Sequence, residues 1–424
     1  MDRSNPVCIN IDNIEISLEG KLQKLQPLSG DCCIYRVLPG KRKSDQKLYT
    51  PQIVSIGPFH YRKQELKAME EHKRRYLQDF LRRTQVSMKD LLIFIGEKEC
   101  KLRECYAETI ELVSDEFVEM ILVDAAFIIE LLLRRGQKSN FEELDTVDRI
   151  LTKPRMITDI RPDLFLLENQ LPMFILRDLF EIAKTAINTD NSHQFSMPEL
   201  IYNLWSWNFL LIEEESIEEH FPEAEHFVDL IRRCLQPSEL RPTKIKTLTT
   251  PNVTELHQAG VQFQLGSEQH LLDIRFNKGI LEIPNLNIVD ETEGILRNLQ
   301  IFEILHCETN YVNDYITMMN YLVNTSKDVD LLIKSGVLEN WLWSSEAVSS
   351  IFHNHVKGGR VKPREFYYSG LVEDINIYCK FPWHKWKANL KQNYFSTPWA
   401  SISVIAAIIL LILTVLQTVY TIKK

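Results

Sequence analysis

Glycine is scarce in this chain: 14 residues in 424, where usage of about 7% is ordinary. Few glycines mean few positive-φ turns, which disfavours a many-turned β architecture and favours long helices. A basic surplus is also missing. The formal net charge is −9, and a general nucleic-acid binder needs a positive surface to meet phosphates. Cysteine is too sparse, at eight residues, for a disulfide-stapled module, and no C-x-x-C spacing occurs. Reduced, mostly buried thiols are expected. The N-terminal stretch MDRSNPVCINIDNIEISLEG has no continuous apolar core, so it does not read as a secretory signal.

Familiar catalytic signatures are lacking as well. No G-x-G occurs anywhere, which removes the common phosphate cradles. There is no G-x-S-x-G elbow and no H-E-x-x-H. His353 and His355 are two apart, so on a helix they diverge and chelate nothing. His60, His72 and His257 stand singly near apolar segments and read as structural. No cofactor or metal is expected, and no catalytic residue is assigned.

What the sequence does have is an apolar run at its C-terminal side. From Ile402 to Val415 the only polar side chains are Ser403 and Thr414, whose hydroxyls can bond back to their own helix. Extended from Trp399 to Ile422, the run is about 36 Å of helix, enough for a hydrocarbon core of about 30 Å. Trp399, Ile402, Ile405, Ile408, Leu411, Val415 and Tyr420 are the expected anchor residues, with the two aromatics at the interfaces. Ahead of it, Trp383, Lys385, Trp386, Lys387 and Lys391 form an expected interfacial collar. Only Lys423 and Lys424 follow the run. Post-translational insertion is therefore expected, with the large domain in the cytosol, the sequons at Asn252 and Asn324 silent, and the membrane unspecified.

The remainder divides into a polar lead-in over 1–28, a mainly helical soluble region over 29–395, and a juxtamembrane segment with the anchor over 396–424. The length alone admits one large or two fused domains. Residues 49–60 read as a short extended segment closed by a Gly57-Pro58 turn. Leu66, Met69, Tyr76, Leu77, Phe80 and Leu81 then mark one helical face, opposite Glu70–Arg74 and Glu71–Arg75 pairs. Lys73, Arg74, Arg75, Arg82 and Arg83 read as a solvated basic face.

Residues 107–135 are nearly apolar enough for a second span. Glu119, Asp124 and Glu130 each cost roughly 2.5–3.5 kcal/mol in a bilayer, so a buried core helix is predicted instead. Between two hydrophobic runs, Glu168, Asn169 and Gln170 are expected to satisfy backbone where Pro172 breaks a helix. Residues 213–225 carry an acidic run that reads as a solvated face. A small antiparallel sheet is predicted at about 260–289, with a hairpin at Asn277-Lys278-Gly279. A capping box is expected at Asp290 and Glu293. The fold class is mainly α, with that sheet as a minor α+β part and one C-terminal transmembrane helix.

Several blocks in order resemble one plant family, the domain of unknown function 247 proteins. They are CCIYRVLPG, YTPQIVSIGPFHY, MEEHKRRYLQDFL, DLFLLENQLPMFIL, NVTELHQAGVQF, FNKGILEIPNLNI, EGILRNLQIFE, DVDLLIKSGVLENWL, and a Trp-rich close, WHKWKANLKQNYFSTPW. Leu38 departs from the family's usual run straight into proline. The resemblance implies a plant protein and carries no established catalytic residues. Some members are implicated in grass pollen–stigma recognition, which implies contact between proteins. The leading expectation is thus a membrane-anchored interaction or signalling protein, binding lipid through its C-terminal helix and an unspecified protein partner. A hydrolase-like enzyme using Asp159, Asp163 or Glu168 is the alternative, and a membrane-surface structural protein gripping lipid through the collar is a third.

Overall fold

A computed structural model describes residues 10–23, 29–42, 45–136, 148–152, 156–187, 196–205, 210–237, 249–266, 270–355, 365–381 and 398–422. The first helices are α1 Ile11–Leu22, α2 Pro39–Arg42, α3 Lys67–Thr84, α4 Met88–Gly96, α5 Glu99–Glu104 and α6 Ser114–Gly136. After them come α7 Arg149–Thr152, α8 Met156–Asp163, α9 Met173–Ile187, α10 Met197–Trp205, α11 Glu214–His220, α12 Phe227–Cys234 and α13 Val253–Gln258. The last are α14 Thr292–His306, α15 Tyr311–Leu322, α16 Ser326–Lys334, α17 Ser345–His355, α18 Ser369–Cys379 and α19 Pro398–Ile422. Two compact units result. One takes Met1–Trp205 with Phe221–Leu230, the other Ser206–His220 with Ile231–Lys424.

The first unit is built on α6. From Phe117 to Leu133 this helix is buried except at Glu119, and α3, α4, α9 and α10 pack on it. Burial of aliphatic side chains all round a helix is the soluble solution to its apolarity. Its acids find internal partners: Glu130 meets Arg83 at 2.9 Å and Arg134 at 2.8 Å. Arg134 also reaches Asp79 and Asp148, both at 2.6 Å. On α3 the face Met69, Tyr76, Leu77 and Phe80 is buried as its spacing predicts.

The basic face of α3 is less uniform than expected. Arg74 and Arg75 are exposed, and Arg75 pairs with Glu71. Lys73 is fully buried, and Glu70 pairs with it at 2.6 Å rather than with Arg74. The 1–28 lead-in also contains a helix. Asn10 caps α1 through its side chain, and Ile11, Ile14, Leu18 and Leu22 recur along one side.

The second unit carries the strands. β2 Arg275–Asn277 and β3 Ile280–Ile283 form the predicted antiparallel hairpin, with Lys278 and Gly279 both at positive φ in its turn. β1 Gln262–Leu265 joins β3 in parallel, an addition the alternation of side chains could not specify. β4 Leu286–Ile288 pairs in parallel with the distant β5 Leu338–Asn340. The capping box expected at Asp290 and Glu293 does not form. Thr292 Oγ1 accepts the Val289 N–H at 2.9 Å, and Glu293 pairs with Arg297 at 2.6 Å. Asn252 and Glu255 make a capping box at α13 instead.

α19 is a 25-residue helix, and its described side chains are all exposed. Among the described residues it is the one helix long and apolar enough to cross a membrane, by length and composition.

Candidate functional site

The acids singled out for catalysis do other work. Asp163, at the end of α8, is buried. Its Oδ1 accepts the Gln52 N–H at 2.9 Å, and its Oδ2 accepts those of Ile53 at 2.7 Å and Val54 at 2.8 Å. Burial raises its carboxyl to about 6 against the pull of those three donors. Asn169 continues the series, accepting the Ile56 N–H at 2.8 Å while donating to Val54 O and Asp163 O. Asp124, from α6, takes the Gly57 N–H at 2.8 Å. The 52–57 segment thus belongs to no strand. Side chains accept its N–H groups where a neighbouring strand would otherwise do so.

Gln170 closes the same frame, donating to Leu164 O and Leu166 O and accepting the Phe227 N–H at 3.1 Å. Tyr106 O–H donates to Gln170 O at 3.1 Å. The expectation that these polar residues satisfy a broken backbone is met residue by residue, and α9 starts just after Pro172.

Glu168 is buried among cations. It accepts the Val37 N–H at 2.6 Å, lies 3.1 Å from His60 Nε2 and 3.8 Å from Arg36, and pairs with Arg42. Burial works to raise its carboxyl, but the His60 and Arg42 contacts and the Val37 N–H outweigh it and hold it low. Burial lowers His60, which favours the neutral imidazole. Asp159 is exposed on α8, apart from this buried set. None of Asp159, Asp163, Glu168 or His60 lines either cavity described below.

Buried carboxylates hold backbone in the second unit too. Glu303 on α14 accepts the Val312 and Asn313 N–H groups at 3.1 and 2.9 Å, capping the start of α15. Asp328 accepts the Thr254 N–H at 2.7 Å at the start of α13 and the Thr325 N–H at 2.8 Å at the start of α16. Asp314 accepts the Tyr367 N–H at 2.8 Å. Burial raises Glu303 and Asp314 each to about 7. Sequence reasoning missed these three: Glu303 and Asp314 serve segments without a local cap signature, while Asp328 completes a capping box with Thr325 and also reaches the distant Thr254.

Cavities lined by described residues include one in each unit. The larger, about 1000 Å³, is a groove between α3, α4 and α6. Leu77, Leu81, Leu92, Ile93, Val118 and Leu122 line it, and Arg74, Arg75, Lys89, Asp115 and Glu119 lie around them. The smaller, about 490 Å³, is polar and belongs to the second unit; Glu308, Thr309, Asn310, Asn313 and Asp314 line it. Among the described residues no group of three His, Cys, Asp or Glu could hold a metal. His353 sits exposed on the helical α17. None of the described cysteines forms a disulfide.

On α19, Ile402, Ile405, Ile408, Leu411, Val415 and Tyr420 are all more than half exposed. Trp399 lies in its first turn. Thr414 O–H donates back to Leu410 O at 2.8 Å, as its place in an apolar run requires. The collar residues Trp383, Lys385, Trp386, Lys387 and Lys391 fall outside the described residues.

These features define a mainly helical protein with small sheets, several buried acids that hold backbone, and an exposed apolar helix near its C-terminal side. The chain belongs to the plant family described as plant protein of unknown function, domain of unknown function 247, whose profile covers residues 34–413. It is similar to UPF0481 protein At3g47200 of Arabidopsis thaliana, at 28% identity over 91% of this chain and 85% of that protein. A second Arabidopsis thaliana UPF0481 protein, At3g02645, is 24% identical over 96% of this chain and 93% of its own length. No solved structure matches.

Proposed function

We propose that this plant protein is a non-catalytic recognition module tethered to a membrane by α19, with its large helical part in the cytosol and a protein as its partner. The observation that carries the tether is the exposure of α19. An apolar helix of 25 residues whose described side chains are all exposed leaves a large hydrophobic area in water unless lipid covers it. Trp399, Ile402, Ile405, Ile408, Leu411, Val415 and Tyr420 make the lipid contact, and Trp383, Lys385, Trp386, Lys387 and Lys391 meet the headgroups. The non-catalytic part is supported by what the acids do. Asp163 and Glu168, the groups a carboxylate-using hydrolase would need, are buried against backbone donors and cations.

A glycosylation sequon appended after Lys424 tests the topology. Modification there, with resistance of the protein to alkaline extraction from membranes, is the expected result. Release by alkali removes the tether. The sequon at Asn252 is a poorer reporter, because its side chain caps α13 by accepting the Glu255 N–H at 2.9 Å. Proximity labelling from the full-length protein tests recognition, and failure to recover a reproducible protein neighbour counts against it.

A further inference from the structure

We infer that α1 is the intramolecular occupant of the groove between α3, α4 and α6, so that the chain masks its own helix-binding surface. The inference rests on the recognition reading above and adds its regulation.

Two unsatisfied apolar surfaces lie in the same unit. In the groove, Met88 and Ile93 are about half exposed, at 48% and 50%. A groove of about 1000 Å³ between helices is the shape that takes an amphipathic helix. On α1 no residue is buried, and Ile11, Ile14, Leu18 and Leu22 are each more than half exposed. Their spacing of three, four and four puts them on one narrow stripe. A helix of 12 residues with Gly20 inside it is marginal alone in water, so its apolar side needs a surface to pack on.

Charge fixes which way the helix lies. At about 100° per residue, Asp12, Glu15 and Glu19 flank the stripe on one side, and Lys21 flanks it on the other. The groove has the complementary division. On the α3 and α4 side Arg74, Arg75 and Lys89 outnumber Glu71, while Asp115 and Glu119 come from α6. The acidic flank therefore meets the α3 and α4 side, and Lys21 meets α6.

The tether is long enough for the journey. α1 ends at Leu22, and the chain is next fixed where the Cys33 N–H donates to Cys105 O at 3.0 Å. Residues 23–32 span up to roughly 33 Å when extended. A link of this length holds its helix at roughly millimolar effective concentration, so a weak contact suffices to fill the groove. A partner presenting an acidic-flanked amphipathic helix must then displace α1.

The test uses the full-length protein in nanodiscs and a fluorescent peptide of residues 8–24, with empty nanodiscs as the lipid control. Wild type is compared with Ile14→Asp/Leu18→Asp, two exposed positions whose change leaves the core untouched. The peptide is expected to bind the variant about ten-fold or more tightly than wild type, because the cis competitor is gone. Adding Ile93→Glu to that variant is expected to abolish binding. Absence of binding to the variant overturns the inference, as does binding that survives Ile93→Glu. Equal binding to wild type and variant also overturns it, while leaving the groove a helix-binding surface and the recognition reading intact.

Discussion

The ammonium of Lys73 lies 2.5 Å from Asp124 Oδ1, and neither side chain reaches solvent. The pair joins α3 to α6 and closes on the 52–57 segment, since Lys73 also donates to Ser55 O at 2.9 Å and Asp124 takes the Gly57 N–H. Burial raises Asp124 to about 6 in spite of Lys73. Burial pulls Lys73 down, but Asp124 and Glu70 outweigh it and leave it raised.

Lys73→Met strands Asp124 as a buried acid without its cation. It is expected to cost about 3–5 kcal/mol, with the larger loss at pH 8, where Asp124 is ionised. Urea unfolding followed by tryptophan fluorescence reads this directly. A variant as stable as wild type at pH 8 would mean that the pair contributes nothing to the fold.

Asp163→Asn swaps one acceptor oxygen for an NH₂ group. Three backbone N–H groups converge on that carboxylate, so at least one of them then faces a donor. The expected cost is about 1–3 kcal/mol. Asp159→Asn, at an exposed position on the same helix, is expected to lie within about 0.5 kcal/mol of wild type. Equal effects at the two sites would show that Asp163 does not hold the 52–57 segment.

Gly57→Ala meets two obstacles at once. The residue has φ +71°, and a Cβ there would come 2.6 Å from Gln170 O and 3.2 Å from Tyr106 Oη. A loss of about 1–3 kcal/mol is expected from the backbone conformation, and the backbone oxygen of Gln170 has little room to retreat. Gly40→Ala, where nothing lies within 4 Å, is the control. Matching melting temperatures for the two variants would contradict this account.

Stability should fall as pH rises from about 5 to 8. Asp124 and Asp163 are raised to about 6, and Glu303 and Asp314 to about 7. The folded state therefore binds more protons than the unfolded chain across this window. Stability is fully present below the unfolded values and is lost as pH passes the folded ones. Glu168 and Asp148 are held low and act oppositely, losing stability only as pH falls below their ordinary range and through their lowered folded values. Urea midpoints at pH 5.5 and 8 decide the sign, and a higher midpoint at pH 8 would refute the prediction.

The large apolar features were legible in the sequence because each carries its own period or length. α6 could be read as core since Glu119, Asp124 and Glu130 make it too costly for a bilayer. Glu168, Asn169 and Gln170 could be read as backbone partners, because they interrupt two hydrophobic runs next to a proline. Their recipients could not, since Val37, Ile56 and Phe227 lie 131, 113 and 57 residues away. Lys73 looked solvated by its neighbours' charge, and only the arrival of Asp124 from α6 makes its burial tolerable. β4 and β5 pair over a similar gap in the chain, and parallel pairing leaves no local turn to read.

The wiring of residues 52–57 has a consequence for synthesis. Their N–H acceptors come from Asp124, Asp163 and Asn169, all encoded far downstream. While the ribosome is still making α6 and α8, this stretch has water as its only partner, although Ile53, Val54 and Ile56 flank it with apolar side chains. Its N–H groups lack these acceptors for as long as translation takes to reach Asn169, at about 5–20 residues per second. During those seconds the nascent chain presents unpaired backbone donors beside apolar side chains, and the order of the gene, rather than any contact in the finished protein, sets how long.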